Sequence, residues 1–204
     1  GVDHVSTFSK MTVVEQPGER ALVLLNAGNL ATTQAVISTL RKRMHMSEPS
    51  LLNVPSMFDA AQLVGDAVRT TIHHHDGQDQ AASGVDFTCT FLVGGQIGGE
   101  APRLFLVYPQ GNFIETSSDT CYFQIGESKY GKPIIDRVVK PTTQLDEAVK
   151  CALVSIDSTM RSNLSVGLPL DLAIVRRDAL RVGFRHRIDA DDPYFQSLRT
   201  GWGP

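Results

Sequence analysis

Residues 9–36 read SKMTVVEQPGERALVLLNAGNLATTQAV, and this stretch decides the fold. Lys10 and Met11 open an extended run through Val14. Pro17-Gly18 makes a turn, because proline fixes one backbone dihedral and glycine tolerates the other. Ala21 to Leu25 is a short apolar run bounded by turn signals, the pattern of a strand buried on both faces. Asn26-Ala27-Gly28 ends that strand, and Asn29 is placed to cap a helix beginning at Leu30. Val36, Ile37, Leu40 and Met44 then share one helical face. The reading is strand, turn, strand, glycine turn, helix.

Lys10 is the only lysine or arginine before Arg20 and stands just ahead of a hydrophobic hairpin. Two readings are open on pattern alone. One is a solvated strand lysine. The other is a lysine held near a buried site, subject to desolvation.

Further along, 45–54 reads as a loop and Pro55-Ser56 as a helix start, with Phe58, Ala61, Val64, Val68 and Ile72 at helical spacing. His73-His74-His75 closes this helix and reads as a solvated loop, since zinc wants spaced ligands. Residues 78–84 are polar and small and read as a mobile loop. A meander follows. Strands are expected over 87–93, 104–108, 113–115 and 121–125, with Gly94 to Gly99 turning the chain. GGQIGG lacks the lysine of a phosphate loop and sits between strands, so nucleotide binding is not expected there. Thr143 with Asp146 reads as a capping-box variant ahead of an amphipathic helix from Gln144 to Met160. Strands are then expected over 170–175 and 179–184. The tail, 189–204, carries Tyr194, Phe195, Leu198 and Trp202, which dock either on the same domain or on a neighbour. This order of elements, with antiparallel connections rather than βαβ alternation, is α+β.

Composition bounds the function. The 204 residues can close one domain with a sizeable core, and 42% apolar with 20% charged residues is ordinary for a globular chain. A net charge of −3 gives no reason to expect nucleic acid or an anionic membrane as partner. No apolar run reaches transmembrane length. Cys89, Cys121 and Cys151 are far apart and set among apolar neighbours, which favours buried thiols in a reducing cytoplasm.

Several segments carry a resemblance to a known family. Lys10-Met11 opens the hairpin, Ala27-Gly28-Asn29-Leu30-Ala31 follows, and GNFIE, QIGESKYGKPI, EAVKCALVSIDSTMRSNLSVGLP and DDPYF extend the likeness along nearly the whole chain. Together they resemble the proteasome-type β-subunits of the N-terminal nucleophile hydrolases, in their ancestral bacterial branch. The resemblance implies a four-layer α-β-β-α sandwich. It also implies a peptidase hydrolysing peptide amide bonds without metal or cofactor, with identical subunits as partners and a peptide or unfolded protein as substrate.

For the site, the resemblance implies Lys10 as the catalytic lysine and Gly28 as the backbone donor to an oxyanion. Asn26 and Leu30 lie beside it on the substrate cleft. Ser165 matches the serine that orders the nucleophile. Ser162 stands where the family has an aspartate, Val166 where it has a glycine, and Glu127 where it has a serine. A serine at 162 carries no charge, so electrostatic support of a terminal amine is weaker. Capping of the helix end is the other reading of Ser162 and Ser165. The resemblance places an N-terminal Thr, Ser or Cys nucleophile, its strand and an aspartate ahead of Gly1, so the 204 residues alone are expected to be inactive. A ring-forming subunit of little or no proteolytic activity is the competing reading.

Overall fold

A computed structural model describes residues 8–76 and 85–201. By their contacts the residues form two compact units, the first from 1–115 and 173–184, the second from 116–172 and 185–204.

The first unit holds a five-stranded antiparallel sheet in the order β1 (Met11–Gln16), β2 (Arg20–Gly28), β3 (Cys89–Ile97), β4 (Arg103–Val107) and β5 (Phe113–Glu115). Gly18 turns β1 into β2 at φ +85°, and Val14 pairs with Leu22. Helices α1 (Leu30–Arg43) and α2 (Met57–Asp76) cover one sheet face. Asn29 caps α1 by accepting from Thr32 N. Leu22 and Leu24 from β2, Phe91 and Val93 from β3, and Phe105 from β4 alternate onto that face. There they meet Val36, Leu40, Val64 and Val68, all buried. β2 is therefore the inner strand that its apolar run foretold, although Leu25, at its site end, is exposed.

β3 runs straight through Gly94-Gly95 to Ile97, so the turn expected at 94–99 begins only at Gly98. Phe87 lies outside the strand. His73 and His74 are exposed residues of the last turns of α2 rather than a loop, because the helical pattern continues to Asp76. The loop expected at 78–84 lies outside the described residues.

The second unit is helical. α3 (Lys132–Val138) and α5 (Pro193–Gly201) both pack on α4 (Leu145–Ser162). Cys151, Ser155 and Thr159 form the α4 stripe toward α3, with Cys151 Sγ donating to the Ile134 carbonyl. Gly131 makes the approach possible, since a Cβ there would lie 2.3 Å from Ser155 Oγ. Leu153, with Phe195 and Leu198 of α5, forms the other cluster. The tail, for which no secondary structure was expected, forms a helix over Pro193–Gly201, capped where Asp192 Oδ1 accepts from Phe195 N. Phe195 is buried in its own unit, leaving Tyr194 as the exposed aromatic; Trp202 lies outside the described residues.

Three other expectations are corrected here. Residues 121–125 belong to no strand. Residues 179–183 are a loop, because Asp178 and Leu180 adopt positive φ and end any ladder, and the strand begins at Phe184. Thr143 does not cap α4. Its hydroxyl accepts from Lys140 N and donates to the Val138 carbonyl, and Gln144 holds the cap position. β6 (Leu170–Ile174) and β7 (Phe184–Ile188) pair with each other, and the chain passes between the units within them. Among the described residues no helix is long and apolar enough to cross a membrane.

Candidate active site

In the first unit the start of β1 meets the end of β2. Met11 pairs with Leu25, so Lys10 lies opposite Asn26. The Lys10 carbonyl accepts twice, from Asn26 N at 3.0 Å and from Asn26 Nδ2 at 3.2 Å. Ser9 Oγ bridges both backbone groups of Met11, holding the chain just before the strand. Lys10 is exposed, and its backbone is fixed on both sides while its side chain stands at the mouth of the hairpin.

Gly28 turns β2 into α1 at φ +108° and pairs with Cys89. A Cβ there would lie 2.5 Å from the Thr88 carbonyl oxygen and 2.8 Å from Cys89 Cα. Close approach of β3 therefore demands the glycine by itself, beyond the substrate approach its sequence position suggests. Asn29 N donates to the Thr88 carbonyl and Asn29 Nδ2 to the Asp86 carbonyl, so the turn is tied twice to the segment that leads into β3. Leu30, the first residue of α1, is exposed beside it. Lys10, Asn26, Gly28 and Leu30 thus share one end of the sheet. Gly28→Ala should lower stability by roughly 3 kcal/mol through strain and the clash with Thr88. A denaturant midpoint equal to that of the parent would refute that reading.

In the second unit the end of α4 carries a connected network. Asn163 is the C-cap, donating its N–H to the Thr159 carbonyl. Asn163 Nδ2 donates to Glu127 Oε2 at 2.9 Å. Asn163 Oδ1 accepts from Ser165 Oγ at 2.7 Å and from Ser165 N at 2.9 Å. Glu127 Oε1 accepts from Lys129 N at 2.8 Å. The Glu127 carboxyl is held below its ordinary range, first by the Lys129 amide and then by the Asn163 side chain. It is therefore an anion throughout the neutral range.

The carboxylate orients the amide, and the amide fixes Ser165 Oγ as a donor, which leaves that hydroxyl's lone pairs facing away from Asn163. Ser162, the last residue of α4, is exposed, and among the described residues no hydrogen bond joins it to this network. Asn163 is the member that the sequence reading passed over; the Asn-Leu-Ser order, an Asx turn, is the signal that could have marked it. Lys10, Asn26, Gly28 and Leu30 belong to one unit, and Ser162, Ser165 and Glu127 to the other. Among the described residues no group of three His, Cys, Asp or Glu could hold a metal ion. Burial pushes the Cys89 thiol up to about 11, which makes it inert as a nucleophile at neutral pH.

Known proteins give this arrangement its family. The proteasome subunit family matches residues 19–175, and the chain belongs to it. Within that family it is similar to Anbu, the ancestral beta-subunit. It shares 55% identity and a TM-score of 0.92 with the Anbu structure from Yersinia bercovieri, covering 100% of this chain and 84% of that one. The structure named as the helical assembly of the Anbu complex from Pseudomonas aeruginosa is 50% identical, with a TM-score of 0.93, over 99% of this chain and 83% of that one. Anbu from Hyphomicrobium sp. strain MC1 is 50% identical, with a TM-score of 0.87, over 99% and 84%. The curated proteasome subunit beta of Haloquadratum walsbyi (strain DSM 16790 / HBSQ001) is 23% identical over 157 residues, 76% of this chain; the chain spans 57% of that relative's length. The α+β fold is accordingly the fold of the proteasome family.

Proposed function

We propose that the 204 residues serve as one proteasome β-type domain of a cytoplasmic peptidase, with an N-terminal Thr, Ser or Cys ahead of Gly1 as nucleophile. The observation that carries this is the placement of Lys10 at the mouth of β1, beside the Gly28 turn, in a chain of this family. The nucleophile's own α-amine acts as base, since a terminal amine ordinarily titrates at about 8, close to neutrality. The Lys10 ammonium disfavours the protonated amine and so assists removal of the hydroxyl or thiol proton. The nucleophile attacks the peptide carbonyl, the Gly28 N–H stabilises the oxyanion, and the protonated amine returns its proton to the leaving nitrogen. Water then releases the acyl group. Asn26 holds Lys10 through its amide nitrogen, while Leu30 offers an apolar wall to the substrate.

Within the second unit, Glu127, Asn163 and Ser165 form a bonded network at the positions where the resemblance implies an aspartate at 162 and a serine at 165. Glu127→Gln should reduce kcat about tenfold with little change in KM, the worth of one charge-assisted hydrogen bond. Unchanged kcat in that variant would remove Glu127 from the mechanism. Identical subunits are the partners in this reading, consistent with the helical assembly named for the Pseudomonas aeruginosa protein.

The departures at Glu127 and Ser162, and a Ser165 hydroxyl already donated to Asn163, favour a second reading: an assembling subunit with little or no proteolytic activity. One experiment separates them. The protein including its upstream residues is incubated with a peptide bearing a C-terminal electrophile, then mapped by mass spectrometry. An adduct on the N-terminal residue, lost in Lys10→Ala, supports the peptidase. An unmodified N-terminal residue leaves the structural reading.

A further inference from the structure

Between Ile174 and Phe184 the chain builds a cleft that the proposed active site does not use. It encloses about 340 Å³ and is lined by Ile174, Arg176, Ala179, Arg181, Gly183 and Phe184, all within the first unit. Residues 173–184 carry three arginines against one aspartate, in a chain whose net charge is −3. Among the described residues no carboxylate pairs with Arg176, Arg177 or Arg181.

The loop that presents these arginines is anchored at several points. Gln96, itself buried, bonds Asp178 twice: Gln96 Nε2 donates to Asp178 Oδ1 and Gln96 Oε1 accepts from Asp178 N, at 2.8 Å and 2.7 Å. Gly18 N donates to the Leu180 carbonyl, Glu15 Oε2 accepts from Val182 N, and Gly183 N donates to the Ile174 carbonyl. Asp178 Oδ1 and Glu15 Oε2 are thus engaged with amide groups. These anchors hold Asp178 at φ 61° and Leu180 at φ 44°, a conformation L-residues adopt at a cost. A loop so fixed presents its arginines with little ordering left to occur on binding.

We propose that this cleft binds the C-terminal carboxylate of an extended peptide whose last side chain is apolar. Arg176 and Arg181 supply planar donors that suit a carboxylate. Ile174, Ala179 and Phe184 supply the apolar wall for one side chain, and the volume suits a chain end rather than a folded segment. The assignment does not rest on the chain being a peptidase.

The test uses the full-length protein in a Lys10→Ala background, so that cleavage does not alter the probe. The probe is a dye-labelled hexapeptide ending in leucine, read by fluorescence anisotropy. The free acid should bind saturably, and its C-terminal amide about tenfold or more weakly, the worth of the charge-assisted pair. The exposed double variant Arg176→Gln/Arg181→Gln should keep its circular dichroism and lose the preference for the acid. Arg41→Gln/Lys42→Gln, both exposed in the last turn of α1, should behave as the parent. Equal binding of acid and amide, an acid preference that survives the double variant, or an absence of saturation would each overturn the proposal. Displacement by inorganic phosphate at the peptide's own concentration would also overturn it, showing a general anion site instead.

Discussion

In a protein that carries its upstream residues, Lys10→Ala should lower kcat by about 10²–10⁴-fold and leave KM within about threefold, the range expected for a group assisting proton transfer. In the proposed mechanism the lysine acts on the nucleophile and not on the bound peptide, so ground-state affinity should be largely kept. Lys10→Arg should be nearly as damaging. Arginine keeps the charge, but its broad planar head does not occupy the place of a compact ammonium, and it does not release a proton. Folding gives little cover for a different outcome. Lys10 is exposed, and its contribution to the sheet is a carbonyl bonded to Asn26, which either substitution retains. Near-normal turnover in Lys10→Arg would reduce the residue to a general electrostatic role. Near-normal turnover in Lys10→Ala would remove it from the mechanism.

The part of the fold holding Lys10 was legible because its signals are local. Pro17-Gly18 sets a turn, Asn29 caps a helix, and a short apolar run bounded by turn signals suits a strand between two others. Residues 121–125 carried the same apolar pattern, but alternation reports which side chains want burial and not whether a partner strand exists. The continuation of the turn at 176–178 as a loop to 183 was missed for a related reason: nothing in Asp178 or Leu180 announces a positive φ that Gln96, 82 residues from Asp178 in the chain, helps to impose. Helix α5 could have been read, since Asp192 followed by Pro193 is a cap followed by the first-turn proline that favours a helix. The spacing of tail aromatics drew the reading toward an interface instead. At the site, Ser165 followed from resemblance, whereas Asn163 did not, because one of the two partners its amide joins, Glu127, lies 36 residues away.

The second large effect should come from the junction of α4 and α5, and it should fall in an order that a simple count of contacts would reverse. Asp157 is fully buried. Its Oδ2 lies 3.0 Å from Arg161 Nε and its Oδ1 2.7 Å from Arg199 Nε, while Arg161 Nη2 donates to the Arg199 carbonyl. The arginine side chains are 41% and 39% exposed, against 0% for the carboxylate. Asp157→Ala removes the carboxylate, and both guanidinium groups can turn to water, so the loss is the charge-assisted hydrogen bonding plus a small void, about 2–3 kcal/mol. Arg161→Ala with Arg199→Ala leaves the carboxylate buried without compensation, which costs about 3–5 kcal/mol. For a chain of this size those losses correspond to falls in Tm of about 5–10 °C and about 10–15 °C. Deleting residues 191–204 removes Arg199 and Phe195 together, and it should unfold the second unit rather than only release subunits from an assembly. Thermal melts by circular dichroism, run beside light scattering, read both consequences. If Asp157→Ala proves more damaging than the arginine pair, desolvation of the carboxylate does not govern this junction. If the truncated protein keeps its helical signal and melting temperature while losing mass, α5 is an element of the subunit interface after all.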